Sequence, residues 1–196
     1  MFGWLKKLYN WVLHWAETPY ALPALIALAV AESSFFPIPV DILLIAMAVS
    51  IPGRSFVYAA YTSLFSVLGG VIGYLIGFQF MSIVGDRIID FYGYQSQFQS
   101  LSQTFQDYNF MAILIAAFTP IPYKVFTITA GAVHADFWEF FAASVIGRSS
   151  RFFILGTLIY FFGENIKLFI DKYFDLLSIL FVVLLVGGFI LIKYVF

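Results

Sequence analysis

An all-α membrane protein is what this sequence predicts, built as an inverted repeat of two opposed re-entrant helical hairpins, each followed by a transmembrane helix. Three observations carry the prediction. Of 196 residues, 62% are hydrophobic and 11% charged, with a mean hydropathy of +0.95, which places the chain in a bilayer. The tripeptide Pro-Ile-Pro occurs twice inside apolar runs, at Pro37–Pro39 and Pro120–Pro122. Each is followed by an apolar helix rich in small residues. One membrane domain, 1–196, accounts for the length. An interfacial helix is expected at 1–16 and a last transmembrane helix at 174–196.

At the N-terminus, Trp4, Leu8, Trp11 and Trp15 recur at helical spacing, with Lys6, Lys7, Asn10 and His14 between them. Tryptophan at headgroup level with lysine on the polar side is the pattern of a helix lying in the membrane plane. No continuous apolar h-region of a cleavable signal peptide is evident.

The first repeat covers 20–80. Pro37 and Pro39 interrupt the run at 20–50, because proline lacks an N–H and clashes with the preceding turn. Two half-length helices, about 22–35 and 41–50, are expected to meet at a re-entrant tip. Backbone broken at membrane depth persists only inside protein or around a water-filled cavity. Ile51-Pro-Gly-Arg54 then turns the chain back, and 56–80 forms a spanning helix. Gly69, Gly73 and Gly77 lie on one face of it, a ridge for close backbone packing rather than a phosphate loop.

Residues 81–109 form a polar connector holding Asp86, Arg87, Asp90, Asp107 and five glutamines. Phe98, Leu101, Phe105 and Tyr108 recur at helical spacing and predict a second interfacial helix. The second repeat covers 110–162, with Thr119-Pro-Ile-Pro-Tyr-Lys124 breaking the run at 110–133 and a spanning helix at 138–162. Aligned on the prolines, Asp41 falls opposite Lys124. Two broken segments in corresponding positions point to a transport site at the repeat interface.

Five ionisable residues lie at the expected membrane depth: Glu32, Asp41, Lys124, Arg148 and Arg151. A charge there costs about 2.5–3.5 kcal/mol on insertion scales, so each is a functional candidate. The acids belong to the first repeat and the bases to the second; tips entering from opposite faces would pair them. Arg148 and Arg151 share a helix face, and two guanidinium forks suit a phosphate. Glu32 and Asp41 are the candidate transport and proton-coupling carboxylates; Lys124, Arg148 and Arg151 are the candidate headgroup ligands. Static salt bridges would satisfy the same charges, though they leave the helix breaks unexplained.

Without cysteine, thiol catalysis, iron–sulfur clusters and disulfides are excluded. A net charge of −1 gives no field to recruit nucleic acid. No metal or cofactor is expected. Neither His14 nor His134 stands in a phosphatase context, so an enzyme is not expected. If the first hairpin enters from the cytoplasm, Lys6, Lys7, Arg54, Lys167 and Lys172 lie inside and only Arg87 and Lys193 outside. The N-terminus is then cytoplasmic and the C-terminus external.

These residues resemble the DedA family of bacterial membrane proteins, within the VTT or SNARE-associated group, and most of all its YqaA-like branch. The likeness runs from about Ala24 to Gly163. It rests on Glu32 before Pro37-Ile-Pro-Val-Asp41, Gly69 to Gly77, Phe118-Thr-Pro-Ile-Pro-Tyr-Lys124 with Ala130-Gly131, and Gly147-Arg-Ser-Ser-Arg151. It implies opposed re-entrant hairpins and a multi-pass place in the bacterial inner membrane. It also implies proton-motive-force-dependent movement of a phosphate-headed lipid, a phospholipid or a polyprenyl phosphate such as undecaprenyl phosphate. Glu32 and Asp41 match the family's essential acidic positions. Lys124 stands where arginine is commoner, and Ala117-Phe118-Thr119 lacks an arginine many relatives carry. The expected function is a flippase-type lipid translocase whose partners are membrane lipids and protons; the small size is compatible with a homodimer. The alternatives are a proton-coupled transporter of a small solute or ion, and a membrane scaffold with structural charges.

Overall fold

The computed structural model describes residues 18–35, 39–119, 121–163 and 165. The expected helices at 1–16 and 174–196, Pro37 and Pro120 lie outside the described residues. Within them the chain is helical and holds no strand.

Helix α1 (Ala21–Ser34) and α2 (Asp41–Ser50) flank the first proline break. At 1.5 Å per residue they are about 21 and 15 Å long, each short of the ~30 Å hydrocarbon core. A 3-10 turn, Pro52–Arg54, leads into α3 (Ser55–Phe80). The helix does not stop at Phe80, where polar residues begin. It passes through a π-helical turn at Met81–Gly85 into α4 (Asp86–Tyr92), 41 helical residues from Pro52 in all. No proline interrupts residues 53–92, and charge alone does not end a helix once it is outside the apolar layer. Gly93, at φ +68°, provides the left-handed stop.

The connector then forms α5 (Gln95–Asp107). Phe98 and Phe105 pack on the core while Leu101 and Tyr108 stay exposed. Ser102 and Gln106 donate to the Val133 carbonyl and so moor α5 to the end of α7. Helices α6 (Asn109–Phe118) and α7 (Tyr123–Ala132) flank the second break. His134, at φ +53°, reverses the chain after α7. Asp136 caps α8 (Phe137–Gly163) by accepting from the Glu139 N–H at 2.8 Å.

Only α3 with its extension and α8 are long and apolar enough, among the described residues, to cross a membrane. They run antiparallel. Gly163 and Gly156 of α8 lie against Pro52 and Ser55–Ala59, Arg148 reaches Ser66, and Phe140 meets Tyr74. Their outer faces expose Leu64, Leu68 and Ile72 on one helix and Ile146, Ile154 and Leu158 on the other, as a lipid-facing surface would.

Two apolar cores sit at opposite ends of this pair. One joins Leu25, Leu44 and Met47 of the first unit to Tyr58 and Ala59 of α3 and to Phe152 and Ile159 of α8. The other joins Ile113, Ala116 and Tyr123 of the second unit to Tyr74 of α3 and Phe140 and Ala143 of α8. The glycine ridge makes the close approaches. A Cβ on Gly69 would overlap Val30 of α1, one on Gly73 would overlap Thr127, and one on Gly77 would overlap the Ile128 carbonyl of α7. Gly131 returns the contact against the Tyr74 carbonyl.

Candidate functional site: a charge cluster between two helix breaks

Between the two cores the arm ends that flank the helix breaks meet one turn of α8. Glu32 closes the last turn of α1, and its carboxylate meets Arg148 Nη2 at 2.7 Å. Asp41 is the first residue of α2, where the helix dipole favours an anion. Arg151 grips it with two donors, Nη2 to Oδ2 at 2.6 Å and Nε to Oδ1 at 3.3 Å. Arg151 Nη1 also donates at 2.5 Å to the carbonyl of Thr119, the residue that ends α6. One guanidinium therefore ties the start of α2 to the end of α6.

Arg148 is held on every side. Its Nη2 also reaches Ser33 Oγ at 3.2 Å, and its Nε donates to Ser66 Oγ on α3. Ser66 and Ser33 lie 2.7 Å apart, and Ser33 Oγ is 3.2 Å from Glu32 Oε2. Each hydroxyl has one proton, so the donors run in one direction: Arg148 to Ser66, Ser66 to Ser33, Ser33 to the Glu32 carboxylate. The guanidinium carbon lies over the rings of Tyr123 at 4.9 Å and Phe152 at 4.7 Å. Such a closed polar network is what allows a cation to be buried.

Every described candidate from the sequence has a definite place. Glu32, Asp41, Arg148 and Arg151 come together as two ion pairs a turn apart. Lys124, half-buried, is the second residue of α7, the counterpart of Asp41 at the start of α2. Pro39 immediately precedes the turn into α2, and Pro122 caps α7 with an extended ψ of 96°. Sequence reasoning did not single out Ser33, Ser66, Tyr123 or Phe152 as partners of Arg148, nor the Thr119 carbonyl as a partner of Arg151. The one available signal was Ser66 at the head of the glycine face, a polar residue in line with Gly69 and Gly73. His134 sits apart, edge-on to the Phe78 ring at 4.7 Å. No three His, Asp or Glu side chains among the described residues are grouped to hold a metal.

A helical frame with two helices of membrane-crossing length, apolar outward faces and ion pairs held between the helix arms is what a membrane protein would show. The VTT domain model matches residues 38–161, and the chain belongs to that family, the DedA family. It is similar to an uncharacterized protein of Haemophilus influenzae, 32% identical over 186 residues that cover 95% of this chain and 96% of the relative. It is also similar to an uncharacterized protein of Histophilus somni, 28% identical over 158 residues, 81% of this chain and 82% of the relative. No solved structure matches the chain significantly.

Proposed function

We propose that the protein is a translocase for a phosphate-headed lipid, a phospholipid or a polyprenyl phosphate. In this reading the two helix–break–helix units are re-entrant hairpins that enter a bacterial inner membrane from opposite faces, related as an inverted repeat. Support comes from arms too short to cross and from cores at opposite ends of an antiparallel helix pair. The observation that carries the reading is the pair of carboxylate–guanidinium contacts where the arm ends meet α8. A phosphate offers the same oxygens as a carboxylate to an arginine fork, so it can take the place of an acid. Protonation on the carboxylate side of the cluster frees an arginine for the headgroup, and deprotonation restores the pairing and expels it. That exchange couples lipid movement to protons. Lys124, at the start of α7, adds a third cation on the side of the second break.

Chemistry on the lipid is not part of the proposal: Ser33, whose hydroxyl reaches the Glu32 carboxylate, is buried and committed to the Arg148 network. Flipping in proteoliposomes tests the reading, with labelled phospholipid and polyprenyl phosphate across a pH range. The native protein is expected to flip one of them in a pH-dependent way and Arg148→Ala/Arg151→Ala to abolish it. Unchanged flipping by the folded double variant removes the headgroup assignment. Competition separates the solute-transport alternative, since only a lipid site is blocked by polyprenyl phosphate.

A further inference from the structure

Two arginines three residues apart invite equal treatment, yet their surroundings differ sharply. Arg148 is 2% exposed, with Glu32, Ser33 and Ser66 around its edge and two aromatic rings against its guanidinium. An incoming anion would have to displace a hydroxyl network and a ring before reaching it. The side chains of Arg151 and Asp41 are 22% and 25% exposed. Arg151 has one carboxylate and one backbone carbonyl as partners, and only the carboxylate needs to leave.

We propose that the two arginines divide the work: Arg151 is the exchangeable cation that meets the phosphate, and Arg148 is a positioning residue fixed by Ser33 and Ser66. Resting on the translocase reading, the division names which side of that site the headgroup touches. Arg148 clamps the end of α1 to α3 through Glu32, Ser33 and Ser66, and to α7 through the Tyr123 ring. It thereby fixes the turn of α8 that carries Arg151. Ser66 is a positioning residue too, because it orients the guanidinium from the α3 side without facing the exchangeable pair. When a phosphate replaces Asp41 on Arg151, the Thr119 carbonyl keeps the guanidinium in place and the start of α2 is released.

Two measurements on the full chain test this. The first is hydrogen exchange at the arginine Nε–H groups in nanodiscs without substrate, with Arg148→Lys and Arg151→Lys assigning the signals. The Arg148 Nε–H, donated into the serine network, should exchange about tenfold or more slower than that of Arg151. Equal exchange overturns the division, whatever the protein transports. The second is flipping of polyprenyl phosphate as a function of its mole fraction. Arg151→Lys should raise the half-saturating fraction about tenfold, because an ammonium loses the bidentate fork. Ser66→Ala should lower the maximal rate at unchanged half-saturation, with Ser66→Thr restoring it. A half-saturation shift in Ser66→Ala as large as in Arg151→Lys would overturn the assignment. No flipping by the native protein would remove the translocase reading, and the exchange measurement would still decide the division.

Discussion

The two helix–break–helix units share a backbone plan and differ in the chemistry of their tips. In both, two short helices flank a Pro-Ile-Pro and a glycine on a long helix receives the first arm. Gly69 of α3 receives Val30 of α1, and Gly147 of α8 receives Leu114 and Ala117 of α6. At the tips the likeness ends. The first unit presents two carboxylates, Glu32 and Asp41; the second presents a backbone carbonyl, an aromatic ring and Lys124. Both arginines lie on α8, after the second unit, so each ion pair of the cluster joins one half of the chain to the other. The lesson is that close helix approach and proline breaks make the frame, while the charges bind one half to the other at the place where the frame is interrupted.

Substitutions that strip one partner from each tie test that distinction. The largest loss is expected for Glu32→Ala, which leaves Arg148 buried without its counter-ion. Breaking such a pair costs about 3–5 kcal/mol, to be read from unfolding in mixed micelles. Next comes the frame itself. Gly77→Val drives a side chain into the α7 backbone and is expected to cost about 1–3 kcal/mol as an overpacked contact. Gly69→Val tests the same close approach in the first unit, and a loss confined to one of the two would break the parallel between them. Asp41→Asn removes a charge from a pair that is only partly covered, so a smaller cost is expected, about 1 kcal/mol. Equal losses for Glu32→Ala and Asp41→Asn would show that burial does not separate the two ties. The smallest effect belongs to Gly53, where a Cβ would meet nothing within 4 Å and φ lies outside the left-handed region. Gly53→Ala is expected to stabilise by about 0.5 kcal/mol through the unfolded state, read in the same unfolding measurement.

Local signals made the frame legible. Proline places the breaks, and the arms expected at 22–35 and 41–50 appear at Ala21–Ser34 and Asp41–Ser50. Charges inside apolar runs likewise pick out Glu32, Asp41, Arg148 and Arg151. What the sequence hides is register between elements more than 100 residues apart. Nothing local says that Glu32 meets Arg148 and Asp41 meets Arg151 rather than the reverse. Ser33 on α1 and Ser66 on the glycine face of α3 carry no local mark of a role, since a hydroxyl looks the same in the sequence whether or not it orients a guanidinium. The helix beyond Phe80 was hidden for another reason. Polar composition marks a change of solvent, and a helix crosses such a boundary until a residue such as Gly93 stops it.

The most direct test of exchange at the cluster is to reverse one tie while keeping it. Asp41→Arg alone places two cations together and should unfold more readily than the double variant Asp41→Arg/Arg151→Asp, in which the pair is restored. An exchangeable site predicts that the double variant folds yet no longer flips a phosphate-headed lipid, because the cation that must meet the headgroup has moved to α2. Native-level flipping by that variant would contradict the account and show Asp41 and Arg151 to be a static tie.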